Sequence, residues 1–139
     1  MIELLIVITI IGLLSTVVLS SVSQARAKAY DAKVKQQLSG FRTAAEVYYS
    51  NQEPNSYGPA SISCSLGMFN DTSPSNASPA LFIVSENMPS TTQIVCASTN
   101  TAYAVKATLY SGTEYFCIDN RGAARVISGE IGGPITACP

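Results

Sequence analysis

Histidine and tryptophan are absent from the 139 residues. Losing histidine removes the commonest general base and metal ligand, so Ser, Asp and Glu are present without the partner an ordinary catalytic triad needs. Charge is scarce as well: 12% of residues are charged and the net charge is −1, which gives no bulk attraction for nucleic acid. No CxxC pair stands in the sequence, and there is no internal repeat or long low-complexity tract. The one glycine-rich spot, Gly132-Gly133-Pro134, lacks the strand-to-helix setting of a phosphate loop. Neither enzymatic activity nor a cofactor or metal is expected. A low-charge surface rich in Ser, Thr and Asn suits packing against copies of the same chain.

What is abundant is apolar surface, and it is concentrated at the start. From Leu4 to Leu19 there is no charge, and a helix over residues 2–19 would be roughly 27 Å long, close to the apolar thickness of a bilayer. A secretory signal would want a basic start, a shorter apolar block and a small-residue cleavage site, and none of these is present. Glu3 is the anomaly, because a carboxylate at the head of such a segment is costly and usually has a named partner. The plainer alternative is that it reaches the headgroup layer from a terminal position.

The run Ile-Glu-Leu-Leu-Ile-Val-Ile-Thr-Ile-Ile-Gly-Leu-Leu, residues 2–14, resembles the N-terminal segment of type IV pilins and the related pseudopilins of secretion and DNA-uptake machines. It combines a lone acid, an unbroken branched-aliphatic run and a glycine at a fixed offset. In that family a prepilin peptidase cuts after a glycine in a short basic leader, and the new N-terminal residue, usually Phe, is N-methylated. The acid then lies four residues into the mature chain. Only Met1 and Ile2 precede Glu3, so by this resemblance the sequence begins two residues inside the usual mature end. The resemblance implies that Glu3 neutralises the terminal amine of a neighbouring subunit. It implies an assembly surface of Glu3, Leu4, Leu5, Ile6, Val7, Ile8, Ile10, Ile11, Gly12, Leu13 and Leu14. Pairing two buried charges sets one axial register between subunits, and breaking such a pair costs on the order of 3–5 kcal/mol.

Small residues, Gly12 followed by Ser15, Thr16, Ser20 and Ser21, allow close helix approach. The family usually carries a proline about eight residues after this glycine, and its helix unravels between the two in some fibres. Ser20 stands there instead, so melting between Gly12 and Ser20 is aided by Thr16, Val17 and Val18 but not enforced by a missing backbone donor.

Helical periodicity continues past the apolar run. Tyr30, Val34, Leu38, Phe41, Ala45 and Tyr48 recur at spacings of three and four and build one apolar stripe. Lys28, Lys35 and Arg42 occupy another face, read as solvated. In a fibre that row would meet neighbouring acids, with Asp31 and Glu46 as reciprocal candidates. The helix should stop near Asn51, since Pro54 disfavours helical geometry before it and residues 55–59 read as turn. The whole helix is about 50 residues. Arg26, Lys28, Lys33 and Lys35 just after the span would put that side in the cytoplasm by the positive-inside rule. The cysteines argue the opposite, and the family's leader normally carries compensating Lys or Arg.

Residues 54–80 read as a Ser/Pro/Asn-rich connecting loop. Its Asn70-Asp-Thr72 and Asn76-Ala-Ser78 match glycan acceptor patterns but are read as plain surface loop. Leu81-Phe-Ile-Val84 and Gln93-Ile-Val-Cys96 read as short strands around a Pro89 turn. Thr101 to Tyr110 alternates, with Tyr103, Val105, Ala107 and Leu109 on one face, and Glu114 to Ile118 and Ala124 to Ile127 follow after turns. The expected fold is therefore α+β: a long N-terminal α-helix packed on a small antiparallel β-sheet of three or four strands, type IV pilin-like. The segments divide as 1–24 transmembrane and assembly helix, 25–53 amphipathic helix half, 54–80 αβ-loop and 81–139 sheet with C-terminal disulfide region. Tyr-Phe-Cys-Ile-Asp-Asn-Arg-Gly from Tyr115, and Ala-Glu-Val-Tyr-Tyr ahead of Asn-Ser-Tyr-Gly, are also similar to the globular domains of that family.

Four cysteines, 64, 96, 117 and 138, with no CxxC and no His favour two bridges in an exported protein over a zinc site. Three connectivities exist. Cys64–Cys96 with Cys117–Cys138 is favoured, the second stapling the C-terminal segment as a single bridge does in many type IV pilins.

The resemblance implies that the chain is the structural subunit, the major pilin, of an extracellular type IV pilus. The partners implied are further copies in a helical homopolymer, the inner membrane before assembly, the prepilin peptidase and the pilus assembly platform. The alternative is a pseudopilin of a type II secretion or DNA-uptake machine. A generic membrane-tethered receptor would have no use for Glu3.

Overall fold

A computed structural model describes residues 2–129 and 136–139; the Gly132-Gly133-Pro134 stretch lies outside the described residues. A single helix, α1, runs Ile2–Asn51 over 50 residues, without a break between Gly12 and Ser20. Nothing in that interval removes a backbone donor, so the helical ladder is complete there. The apolar stripe of its second half is the core: Val34, Leu38, Phe41 and Ala45 are fully buried, and Tyr30 and Tyr48 pack against them. The chain turns immediately after Asn51, as the proline at 54 requires.

The sheet is a four-stranded antiparallel meander in the order β1-β2-β3-β4, with β1 Ile94–Ser98, β2 Tyr103–Thr108, β3 Glu114–Asp119 and β4 Ala124–Ser128. Short turns suffice. The Gly112 N–H donates to Leu109 O and the Gly122 N–H to Asp119 O, with both glycines at positive φ, where a side chain would be strained. Register sets two faces. Cys96 lies opposite Val105 and Val105 opposite Ile118, so these share the helix-facing side with Tyr103, Ala107 and Leu109, and all are buried. Phe41 stacks on Phe69 at 5.6 Å and meets Tyr103 edge-on at 5.8 Å.

The middle of the outer face is buried too, where alternation alone predicts solvent: Ala104, Lys106, Thr108, Cys117 and Asp119 are buried, while Val95 and Arg125 on the same face are exposed. The Lys106 Nζ lies 4.2 Å from the ring centroid of Tyr115, a cation–π contact.

The two disulfides, Cys64–Cys96 and Cys117–Cys138, sit on opposite faces because Cys96 is opposite Val105 while Cys117 is opposite Lys106. The first ties the connecting loop to the inner face. The second ties the C-terminal residues to the outer one.

Leu81-Phe-Ile-Val84 is not a strand. Pro79–Phe82 forms a 3-10 turn, with i→i−3 bonds from Leu81 N–H to Ser78 O and Ile83 N–H to Ala80 O. Ala80 and Ile83 both enter the core at a spacing of three, which a period-two strand cannot do. Phe82 lies flat where a β-carbon on Gly40 would stand, 2.4 Å from its Cε1; the missing side chain at Gly40 makes the docking place. The sheet therefore begins at Ile94 rather than near Leu81. The connecting loop adds two more 3-10 turns, Gly67–Asn70 and Pro74–Asn76. It also shields the outer edge of β1 through an antiparallel bridge between Ser61 and Ser98.

Candidate assembly stem

The head holds α1 at Tyr30 and Asp31. The Tyr30 hydroxyl lies 2.7 Å from Thr92 Oγ1, and the Tyr110 N–H donates to Asp31 Oδ1 at 2.7 Å. Below that point every described side chain of the helix except Ala27 is exposed. Thirteen large aliphatic side chains, from Ile2 to Val22, are between 39% and 75% exposed, and they point in every direction around the axis. An all-round apolar helix belongs inside a membrane or a bundle of other helices.

The magnitude is large. Covering an aliphatic side chain completely is worth ~1.5–3 kcal/mol, so thirteen of them at 39–75% exposure still carry on the order of 10–25 kcal/mol. That is at least comparable to the ~5–15 kcal/mol by which a domain is ordinarily stable, and the described part of the head does not collect it.

Its few polar groups are already satisfied for such a setting. Thr9 Oγ1 donates to Ile6 O at 2.8 Å, Ser15 Oγ to Ile11 O at 2.8 Å, Thr16 Oγ1 to Leu13 O at 2.9 Å and Ser21 Oγ to Val18 O at 3.0 Å. Each hydroxyl spends its proton on its own helix, which lowers the cost of leaving water. A β-carbon added to Gly12 would meet nothing within 4 Å. The space beside Gly12 is open, which permits close approach of a second helix.

Glu3 lies in the first turn of α1, exposed, where the helix dipole favours a negative charge. The expected assembly residues, from Glu3 through Leu14, are all brought to this one uncovered stem. Of the acids expected to face neighbouring subunits, Asp31 accepts the Tyr110 N–H, and Glu46, itself exposed, accepts the Tyr57 hydroxyl at 2.9 and 3.1 Å. Burial first, and that hydrogen bond second, push the Tyr57 phenol above its ordinary range. The basic row is divided in the same way: Lys28 and Lys35 are exposed, while Arg42 folds onto the sheet and donates to Ala123 O.

Two clusters in the head carry no sequence signature. Asp119 is buried and accepts backbone N–H bonds from Arg121, Ala123 and Cys138 at 2.9–3.0 Å, while Arg125 donates to Cys138 O. Burial alone would raise the Asp119 carboxyl, but the three N–H donors and the nearby Arg42 hold it below the usual aspartate range. Asp71 is likewise lowered: burial works against it, and bonds from Ser73 and Asn76 outweigh burial. Asn76, one of the two glycan-pattern asparagines, is thus tied into the loop and also accepts from Asn51. The Asp119-Asn-Arg-Gly122 turn was legible as a turn, but its tie to a residue 19 positions on was not.

No protein-family model matches the chain, and comparison with curated proteins and with solved structures also gives no match. The likeness to pilins rests on residues 2–14 and on the architecture. A long apolar-tipped helix on a four-stranded antiparallel sheet with disulfides is a pilin-like arrangement. The apolar helix points to a membrane or export route, and the bridges to an oxidising compartment.

Proposed function

We propose that this chain is a structural subunit of an extracellular type IV pilus, a homopolymer whose stems pack into the filament core and whose heads tile the outside. The single observation that carries the reading is the stem, thirteen aliphatic side chains left wholly uncovered by their own head, with one acid at its tip. Before assembly the stem is held in the inner membrane. On the way out, a prepilin peptidase and an assembly platform act on it, and Glu3 pairs with the terminal amine of a neighbour. Two bridges and a low-charge Ser/Thr surface suit an exposed, durable fibre over a short pseudopilin piston. The protein has no catalytic part in this.

Shearing cells and assaying the released material tests the choice. Recovery of the chain in long surface filaments is expected. If it stays in the envelope and never appears in sheared filaments, the pseudopilin reading replaces this one.

A further inference from the structure

Four of the chain's eight Lys and Arg lie within residues 26–35, together with one of its nine acids. Arg26, Lys28, Lys33 and Lys35 are all exposed, and the one acid among them, Asp31, is occupied by the Tyr110 N–H. The remainder of the chain is correspondingly acidic. Half the positive charge is thus a collar between the stem and the head.

Position along α1 decides what the collar can touch. Taking Val22 as the last large exposed aliphatic of the stem, Arg26 and Lys28 stand ~6 and ~9 Å above it, and Lys33 and Lys35 ~17 and ~20 Å. The headgroup layer is ~5–8 Å deep on each side of a bilayer. Helical side chains lean toward the N-terminus, here toward the stem, so Arg26 and Lys28 reach back into that layer. Lys33 and Lys35 lie beyond about one screening length, ~8 Å at physiological salt.

We infer that, while the stem is in the bilayer, Arg26 and Lys28 bind the phosphates of anionic lipids. The inference rests on the stem being a membrane span; it adds the lipid class and the residues that read it. Phosphate is the shared chemistry, and the lipid headgroup is the source proposed. Acids of a neighbouring copy are the competing source of negative charge, and the crowded-disc arm below separates them.

The full chain, reconstituted in lipid nanodiscs of phosphatidylcholine alone or with phosphatidylglycerol, would be acylated with an amine-reactive ester and each lysine read by mass spectrometry. Lys35 serves as the internal reference for the general effect of a charged surface. The Lys28 to Lys35 rate ratio is expected to fall about five-fold in the anionic discs. It should recover at ~1 M salt, where the screening length is ~3 Å, and fall less in the Arg26→Gln variant. An equal ratio in the two discs overturns the inference. So does protection in phosphatidylcholine discs on adding inorganic phosphate alone, or on crowding several chains into one disc. A chain that enters neither disc overturns the membrane span itself, and that failure is seen before any lysine is read.

Discussion

The two halves of α1 are one continuous helix governed by opposite rules. In the second half, Val34, Leu38, Phe41 and Ala45 form a single stripe that the sheet and connecting loop cover completely. In the first half, thirteen large aliphatic side chains surround the axis and stay exposed. A stripe defines an inside and an outside, so the head is a finished object whose stability belongs to one molecule. A helix apolar all round defines no such side, and its free energy belongs to whatever surrounds it. The same secondary structure thus serves folding at one end and association at the other.

The largest expected effect breaks the first half alone. Glu3→Ala should reduce sheared filament by roughly two orders of magnitude or more, because stranding a buried partner charge costs ~3–5 kcal/mol at every subunit. The melting temperature of the detergent-solubilised chain should not move. Filament yield equal to wild type would remove Glu3 from assembly.

One substitution made twice sharpens the contrast. Leu38→Ala empties a fully buried position and should destabilise the head by ~2–5 kcal/mol. Leu13→Ala, at a 70% exposed position of the same helix, should change head stability by less than ~0.5 kcal/mol. Denaturant titration of both variants in detergent checks this. Similar losses would mean that the stem folds back on the head.

The bridges come next. They span separations of 32 and 21 residues, so by loop entropy each contributes ~3–4 kcal/mol and they differ by only a few tenths. Their consequences differ because they lie on opposite faces. Replacing Cys64 and Cys96 by Ser should loosen residues 54–64 and the edge of β1, whereas replacing Cys117 and Cys138 should release residues 136–139. Amide hydrogen exchange in each double variant should show protection lost on one side and kept on the other.

How much of this was readable beforehand follows the same division. The stripe from Tyr30 to Tyr48, the stop after Asn51 and strands β1 to β4 are local patterns, with periods of 3.6 and 2 bounded by Pro and Gly. They could be read because each is decided within about ten residues. Leu81 to Val84 misled because a four-residue apolar run has no period of its own, and its geometry is decided by Gly40, some forty positions away, whose bare α-carbon receives Phe82. The burial of the outer face was hidden for the same reason. Lys106 and Asp119 look like solvent-facing residues until the C-terminal residues are placed over them. In the stem, residues 2–14 announced a surface for association, and Gly12 and the back-bonded hydroxyls fit it. That Asp31 and Glu46 accept bonds from Tyr110 and Tyr57 was not legible, since no spacing rule links those pairs.

The smallest effect probes how the head seals itself. Asp119 holds three backbone N–H groups, one of them on Cys138, and its carboxyl titrates below the ordinary value of 3.8. A carboxyl whose folded pKa is depressed contributes stability that is fully present above the unfolded value and is lost as pH falls through the folded one. Head stability should therefore be flat in this term at neutral pH and decline below about pH 4. Asp71, lowered in the same way, adds to the same decline. Asp119→Asn keeps one acceptor oxygen and loses the charge, so it should cost ~1–2 kcal/mol at neutral pH and flatten the acid slope relative to wild type. Thermal melts of both proteins from neutral pH down to about pH 3 measure the difference. Parallel slopes would show that the clamp on Cys138 holds equally well without its charge, leaving the Cys117 bridge and Arg125 to keep the C-terminal residues on the sheet.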